Sequence, residues 1–518
     1  MQRGIEVMRI LLVLLLASTP VLAAESAQSG WPHLKLDLML AETGAAQAPP
    51  VPPAGVMALS LRDSIALALK NNLDIAVEAF NPQLRDQALV GEKAVFDPSA
   101  FLELTRSDNR APSSSIFSVG RSLSDLWDFN TGLRQKLPTG GTYELRFNNE
   151  YLNSSSTSTK DGFTSKVALT LTQPLLKNFG FEPTETNIRI ASNNQSISRE
   201  QLRLKVSDIV TQVQNGYFDL IFAIENLEVQ RRSLRLAQEL VALNRARVRA
   251  GVAAPVEVTQ AEAQEAARVQ DVILAEKAVR DAEDTLKVIL NLPVSGDWAQ
   301  EIRPTDTPGF EVKPINLGEA IQKALENRYE YKGAKLDIDN KALSVRLTRN
   351  QLLPDLSLTS SVFSNGFGDT YGGNVSEMGS SNFVSYSVGV VLTVPLGNRG
   401  PQASYIQSKL TLDQAKTSLK NLDLQITQQV REAVRRVEAD AKRIDANRAA
   451  RVLAEEQLRV ERRRLEAGVT TTFNVLSFQR DLAAAQANEI RAITDYNKSL
   501  ANLEKVQGTV LERNRIEM

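Results

Sequence analysis

The chain has 518 residues, of which 23% are charged and only 6% aromatic, a low aromatic content for a protein with several compact cores. Its 60 lysines and arginines balance 61 aspartates and glutamates, so it lacks the basic excess typical of nucleic-acid-binding proteins. It contains no cysteine, which excludes a disulfide framework, a thiolate metal site and lipidation of an N-terminal cysteine.

The N-terminus has the pattern of a secretory signal peptide. Arg3 and Arg9 precede the apolar run 10–16, and small residues that suit cleavage follow it. The run is too short to span a membrane as a helix. We therefore predict a signal peptide over residues 1–24, followed by an Ala- and Pro-rich extension over 25–58.

Two stretches of the chain share one pattern, and the landmarks after them recur in the same order. LSLRDSIALALKNNLDIA at 59–76 aligns with INLGEAIQKALENRYEYK at 315–332. The later landmarks are Pro98 and Pro354, then Pro174 and Pro395, then Gly251 and Gly468. Such order indicates an internal duplication. The predicted segments are a first repeat at 59–293, a linker at 294–314, a second repeat at 315–511 and a tail at 512–518.

Each predicted repeat begins with a helix and continues with strands. Apolar residues recur at a spacing of four over 61–95 and 317–350, which predicts amphipathic helices that a proline then closes. After the proline, apolar and polar residues alternate, as over 143–148, which predicts strands with one apolar face. The interval from Pro98 to Pro174 is 76 residues and that from Pro354 to Pro395 is 41. The surplus of 35 residues fits one more hairpin, so we expect about four strands in the first repeat and two in the second.

Alternating segments separated by long polar loops are typical of a transmembrane β-barrel. We predict such loops at 110–121, 153–162 and 365–381. A soluble β-sandwich alternates in the same way, so the strands alone leave both architectures open. The signal peptide and the attached helices favour the barrel. Because four to six strands cannot close a membrane barrel and open edges are not tolerated in lipid, several chains must then share one barrel.

Very long helices follow the strands. The segments Thr184–Ala250 and Ala403–Ala467 are free of proline, and each would extend for about 100 Å, which indicates coiled-coil packing. We expect each to turn at a glycine and to return as Pro255–Leu290 or Phe473–Leu503.

The turns themselves lie in two similar stretches, RARVRAGVAAPVEV at 245–258 and RRRLEAGVTTTFNV at 462–475. A glycine supplies the left-handed conformation that ends a helix, and arginines in the last turns favour the helix dipole. Pro255 suits a first helical turn, and Thr470–Thr472 can cap the other returning helix.

These features together resemble the TolC family of outer-membrane efflux channels over roughly Leu59–Leu511. The resemblance is carried by the duplicated helix–strand–helix order, the proline junctions, the stretch Gln173-Pro174-Leu175 and the two Ala-Gly-Val stretches. It implies an α+β membrane protein and a homotrimer, with a transmembrane β-barrel shared in the outer membrane of a Gram-negative cell. A long α-helical coiled-coil barrel would form a tunnel through the periplasm.

The resemblance also implies a function and partners. The channel would be a passive exit duct for a tripartite efflux pump or a type I secretion system, opened at its periplasmic helical tips. A periplasmic adaptor (membrane fusion protein) and an inner-membrane pump would dock there. The adaptor-docking candidates at the tips are Gly251, Val252, Gly468 and Val469. The candidates at the periplasmic entrance are Glu257, Gln260, Asn474 and Ser477.

The family often carries acidic residues just after the second glycine, where Asn474 and Ser477 are uncharged. Glu257 is the only charged entrance candidate, and a glutamate in a first helical turn also serves simply to compensate the helix dipole. We find no motif for a catalytic, cofactor-binding or metal site, so an enzyme is not predicted. The alternative function is a periplasmic coiled-coil adaptor or scaffold protein with a soluble β-domain.

Overall fold

The computed structural model describes residues 55–112, 121–154, 161–293, 297–311, 314–380 and 382–518. The predicted signal peptide and nearly all of the predicted extension lie outside these ranges. The described helices and strands lie within residues 46–515, which form one compact unit.

The first part of the chain alternates between helices and strands before two longer helices. Its elements are β1 (Val56–Leu59), α1 (Leu61–Asn71), α2 (Leu73–Glu78), α3 (Phe80–Lys93), β2 (Ser99–Pro112), β3 (Arg121–Lys136), β4 (Thr142–Ser154), β5 (Gly162–Pro174), α4 (Phe181–Arg249) and α5 (Pro255–Leu290). The second part contains β6 (Glu301–Pro304), α6 (Leu317–Asn327), α7 (Tyr329–Asn350), β7 (Asp355–Gly368), α8 (Tyr371–Gly379), β8 (Val384–Thr393), α9 (Arg399–Glu466), α10 (Thr472–Gln507) and α11 (Val510–Arg513).

The main sheet has six antiparallel strands in the order β2-β3-β4-β5-β7-β8. Four of them come from the first part and two from the second, as the proline spacing predicted. The register is continuous, so that Leu145 of β4 lies opposite Leu133 of β3 and Leu169 of β5. Strands β2 and β8 are the two edges of this sheet.

One predicted loop is not a loop. The stretch 365–381 contains the end of β7 and the helix α8. The hydroxyl of Thr370 caps this helix, and Asn374 within it is fully buried against Ser165 of β5. The prediction was wrong because Asn374 finds its hydrogen-bond partner on a strand 209 positions away, which local polarity does not reveal. The centres of the other two predicted loops, 113–120 and 155–160, lie outside the described residues.

The predicted amphipathic helices are interrupted. Residues 61–95 form α1, α2 and α3. The break between α1 and α2 arises because Asn72 adopts extended backbone and its side chain accepts hydrogen bonds from the N–H groups of Asp74 and Ile75. An asparagine that caps in this way begins a new helix. Arg328, also extended, divides 317–350 into α6 and α7.

The long helices match their predicted bounds closely and form two hairpins. Helices α4 and α9 have 69 and 68 residues, about 100 Å each, and return as α5 and α10 with 36 residues each. Helix α10 packs on both α9 and α4, so that the hairpins α4–α5 and α9–α10 lie side by side. No helix in the described part of the chain combines the length and the apolar character needed to cross a membrane.

A short parallel pair joins the start of the described chain to the predicted linker. Strand β1 begins inside the predicted extension and pairs with β6, which lies inside the predicted linker 294–314. The buried hydroxyl of Tyr217 on α4 donates to the carbonyl oxygen of Leu59 at 3.0 Å, and the N–H of Asp306 donates to that hydroxyl at 3.3 Å. Burial raises the pKa of Tyr217 to about 12. This junction anchors the start of the first part and the start of the second part to the middle of α4.

Candidate functional site

Both helical hairpins end in the same glycine turn. Gly251 and Gly468 have φ of 73° and 72°, the left-handed conformation that ends a helix. Each turn is closed by two hydrogen bonds of 3.0 Å, from Gly251 N to Val248 O, Val252 N to Arg247 O, Gly468 N to Leu465 O and Val469 N to Arg464 O. This is the Schellman arrangement, and it satisfies carbonyl groups that the end of a helix leaves free. The predicted role of the glycines as helix caps is therefore confirmed.

The residues around the glycines expose apolar side chains. Val252 is 67% exposed and Val469 is 64% exposed, so both predicted docking residues lie on the surface. Val256 and Phe473, which sequence reasoning missed, are 57% and 64% exposed. The signal that could have found them is the alignment of the two turns, which places Val256 over Phe473. Each hairpin tip thus presents two apolar side chains.

The four entrance candidates have different surroundings. Glu257 is half-buried, and its Oε2 accepts a hydrogen bond from the Thr472 hydroxyl at 2.7 Å. Asn474 is exposed and donates to Thr470 Oγ1 at 3.0 Å, within its own hairpin. Ser477 accepts from Arg480 at 3.2 Å, and Gln260 is exposed. Among the described residues, Glu257 alone of the four connects the two hairpins through a hydrogen bond.

Buried polar residues form this hydrogen-bonded connection between the two hairpins. Thr472 and Asn244 are both fully buried, and Thr472 Oγ1 lies 3.2 Å from Asn244 Oδ1 and 2.7 Å from Glu257 Oε2. A hydroxyl has one proton, and the shorter contact to the carboxylate is the stronger hydrogen bond. The Asn244 amide donates to the backbone oxygen of Glu257 at 3.4 Å. We call Asn244, Glu257 and Thr472 the tip node.

The second hairpin has a different buried group at the matching position. Glu461, which aligns with Asn244, is 5% exposed. It accepts a hydrogen bond from the Thr470 hydroxyl and forms an ion pair with Arg464 at 3.2 Å. Those contacts stay within hairpin α9–α10, whereas the tip node crosses between hairpins. The two tips therefore share a backbone turn but not their side-chain contacts.

The start of α5 agrees with its prediction, whereas the start of α10 does not. Pro255 occupies the first turn of α5, as expected. Thr471 is the N-cap residue of α10, but its side chain makes no capping hydrogen bond. The predicted capping by threonine hydroxyls was wrong because those of Thr470 and Thr472 are engaged with glutamates of other helices. An ionised acceptor makes the stronger hydrogen bond.

An apolar cluster lies directly above the tip node. Its buried members come from α4, α9 and α10, and they are Leu240, Ala454, Leu458, Leu465, Val475, Leu476 and Leu482. Contacts of this kind hold α10 between the two outgoing helices. The tip node thus lies at the end of the packed contact among α4, α9 and α10.

The six-stranded sheet has two chemically distinct faces. One, which we call the apolar face, exposes Leu102, Leu104, Trp127, Leu133, Leu145, Leu169, Leu171, Val362, Val388, Val390 and Leu392. The opposite, polar face carries Glu103, Asp128, Arg134, Glu144, Arg146, Glu150 and Lys166. On the polar face Arg146 forms an ion pair with Glu103 at 2.8 Å. A sheet that exposes so many large apolar side chains on one face needs an apolar surrounding there.

Comparisons with known proteins agree on one family. The family model for "Outer membrane efflux protein" matches residues 144–292 and 320–509. The outer membrane efflux protein BepC of Brucella suis is 28% identical over 335 residues, 64% of this chain and 69% of BepC. The outer membrane protein TolC of Vibrio cholerae is 23% identical over 60% of this chain and 70% of its own length. In fold, the chain is similar to the outer membrane protein VceC of Vibrio cholerae, with a TM-score of 0.63, 16% identity and coverage of 86% of this chain and 96% of VceC.

Proposed function

Because the chain belongs to the outer membrane efflux protein family, whose members are outer-membrane channels, we propose that three copies form one passive exit duct. The duct serves a tripartite efflux pump or a type I secretion system. Its barrel lies in the outer membrane and its helical hairpins extend through the periplasm. The family match favours this function over a periplasmic adaptor or scaffold.

The observation that carries the proposal is the open sheet with one exposed apolar face. Within the described residues, β2 and β8 each pair on one side only. Lipid offers no hydrogen-bond partner to a free strand edge. Pairing of β8 with β2 of the next copy satisfies both edges, and three copies give 18 strands around a lumen lined by the polar face.

The position of aromatic side chains supports insertion in a membrane. Trp127, Tyr151 and Phe163 lie opposite one another in register on β3, β4 and β5. They share the apolar face, near the end of the sheet from which the connection between β7 and β8 leaves. Aromatic girdles of this kind flank the apolar band of membrane barrels.

Exposed apolar stripes on the helices support assembly of several copies. On α2 and α3, Leu73, Val77 and Leu84 are between 62% and 68% exposed and recur at helical spacing. Helix α9 exposes Ile406 and Leu410 in the same way. We propose that these stripes meet between neighbouring copies.

The repeats remain part of the proposal. Residues 59–293 and 315–511 each run from short helices through strands to a long helical hairpin, joined by the linker 294–314. Two hairpins per copy then supply twelve long helices to one tunnel wall. This equal order of elements supports a duplicated unit.

We place the adaptor and the inner-membrane pump at the hairpin tips. Gly251, Val252, Gly468 and Val469 offer an exposed turn with apolar side chains to the adaptor. The entrance residues Glu257, Gln260, Asn474 and Ser477 lie within ten residues of those glycines, close to the opening. Because the tip node joins the two hairpins, breaking its hydrogen bonds frees one hairpin to move against the other and widen the entrance.

The decisive experiment is functional reconstitution of the mature chain. The detergent-purified protein should have the mass of a trimer and should give discrete current steps in a planar lipid bilayer. A monomer that stays in solution without detergent and gives no current would contradict the channel and favour the scaffold.

A further inference from the structure

The apolar face carries two polar side chains in an unexpected place. Asn149 of β4 and Ser165 of β5 lie opposite each other in the ladder, and they are 6% and 0% exposed. Along the same face their neighbours on both strands are aromatic or aliphatic. An amide or hydroxyl left bare on a surface that faces lipid would lack hydrogen-bond partners, which strongly disfavours it there.

Helix α8 supplies the missing partners. Asn374 is fully buried, its Oδ1 accepts a hydrogen bond from Ser165 N at 3.2 Å, and its Nδ2 donates to Ser165 Oγ at 2.5 Å. The Ser165 hydroxyl in turn donates to Asn149 Oδ1 at 2.7 Å, and Asn149 Nδ2 donates to the carbonyl oxygen of Phe129 at 3.1 Å. We call Asn149, Ser165 and Asn374 the strap network. Each amide and hydroxyl of the network is thereby hydrogen-bonded.

Strand β7 leaves room for this helix. A Cβ atom at Gly366 would lie 2.2 Å from the carbonyl oxygen of Asn374, and one at Gly368 would lie 2.8 Å from its nitrogen. Both glycines are on the apolar face, opposite Ser165 and Phe163. Any larger residue at either position would push α8 off the sheet.

Further contacts fasten the rest of the helix. Ser364 Oγ donates to the carbonyl oxygen of Met378 at 2.8 Å, and Phe367 N donates to Glu377 Oε2 at 2.8 Å. The ring of Tyr371 packs edge-on against Phe163, with 5.9 Å between centroids. Anchors therefore lie at the start, the middle and the end of α8.

We propose that α8 is a strap that holds the connection between β7 and β8 against the apolar face and keeps it out of the pore mouth. This rests on the proposed function, because it takes the apolar face as the outside of a barrel. A released connection of fifteen residues, fixed at both ends, could reach about 25 Å. That exceeds the radius of an 18-stranded barrel, about 18 Å from the usual strand spacing and tilt.

The test uses two variants that act from opposite sides of the contact. Asn374→Ala removes the anchor on the helix, and Gly366→Ala places a methyl group against it from the sheet. The matched controls are Ser376→Ala, at an exposed position of the same helix, and Gly389→Ala, where an added Cβ meets nothing within 4 Å. All four full-length variants are first required to keep the mass of the wild-type assembly.

Two measurements follow. Cleavage by Glu-C protease after Glu377, followed by mass spectrometry, reports release of α8. We expect it to rise at least tenfold in Asn374→Ala and Gly366→Ala and to stay unchanged in the controls. In planar bilayers, transient current blockades should become at least threefold more frequent in the same two variants.

The outcomes separate the two proposals. Unchanged cleavage would show that the strap network does not anchor α8, and faster cleavage with unchanged current would show that the helix does not guard the pore mouth. Either result overturns the strap. A wild-type protein that conducts no current overturns the channel function instead, while the cleavage rates still decide whether the network anchors the helix.

Discussion

Gly251 and Gly468 show how far single residues determine the hairpin tips. Both adopt a left-handed backbone that other residues reach only with strain, and an added Cβ would meet no atom within 4 Å at either position. A substitution there is therefore opposed by backbone strain alone. The sequence predicted these glycines because capping chemistry is local.

Replacing Gly468 by alanine should destabilise the tip of hairpin α9–α10 by about 1 kcal/mol, the usual cost of left-handed backbone for a residue with a Cβ. Amide hydrogen exchange should accelerate about fivefold over residues 464–472. Gly91→Ala is the matched control, since Gly91 lies inside α3 without positive φ or near neighbours, and it should be neutral or slightly stabilising. Equal exchange in wild type and Gly468→Ala would contradict the strain argument.

The tip node depends on a residue that local sequence named for a different role, because Thr472 was predicted as a helix cap. Thr472 meets Glu257 across 215 positions of the chain. No periodicity or capping rule joins residues so far apart, so only packing of α10 against the hairpin α4–α5 reveals the pair. The sequence named Glu257 for its charge and missed its partner.

Replacing Thr472 by valine should free the entrance. It keeps the shape of the side chain but leaves a half-buried carboxylate without its donor, a cost of about 1–3 kcal/mol. The open probability in planar bilayers should therefore rise several-fold. Thr471→Val is the control, because Thr471 is exposed and makes no side-chain cap bond. If both variants gate like the wild type, the tip node does not hold the entrance closed.

At the scale of elements, the helices were predicted better than their interruptions. Helix α5 begins and ends at the predicted residues, and α4 begins three residues earlier than predicted. The failures are α8, called a loop, and the helix over 61–95, which Asn72 divides. In both cases an asparagine side chain forms hydrogen bonds, to nearby backbone N–H groups or to a residue on a strand, that the spacing of apolar residues does not predict.

Helix α10 also carries a charge that the fold disfavours. Glu504 is mostly buried and forms an ion pair with Arg513 of α11 at 2.8 Å. Burial nevertheless raises the pKa of Glu504 above its ordinary value, and Arg513 opposes that shift only in part. The folded chain therefore binds this proton more tightly than the unfolded chain does. Stability from this group is present at low pH and is lost as pH rises past the normal glutamate range.

Glu504→Gln should consequently raise the melting temperature at pH 7, because glutamine imitates the protonated acid. The advantage should shrink as pH falls toward about 4.3, the pKa of an unperturbed glutamate, and should be absent below it. Thermal unfolding monitored by circular dichroism at several pH values measures the difference. Glu512→Gln, at an exposed glutamate, should give no such trend. A variant less stable than wild type at pH 7 would show that the ion pair outweighs burial.

At the scale of the whole molecule, the fold leaves surfaces that one copy does not cover. The edges β2 and β8, the apolar face of the sheet and the stripes on α2, α3 and α9 all remain open within the described residues. They lie on elements from both parts of the chain. The proposed assembly of copies around a common axis would cover them all.

Charges placed in the helical stripes should prevent assembly. Val77→Asp and Leu410→Asp each put a carboxylate into a proposed contact between copies, so the purified protein should shift from trimer to monomer in light scattering. Gln87→Asp adds the same charge at an exposed polar position of α3 and should remain trimeric. Persistent trimers in both stripe variants would place the contact between copies elsewhere.

The sequence by itself determined the helix–strand–helix order of each part, the lengths of the long helices, the number of strands in the main sheet and the glycine turns. Each of these follows from periodicity or from the conformational limits of glycine and proline, which act over a few residues. Only the tertiary structure decided the pairing of Thr472 with Glu257, the position of α8 on the apolar face and the closure of β1 on β6. Those contacts join residues more than 200 positions apart, so they form only when the whole chain has packed.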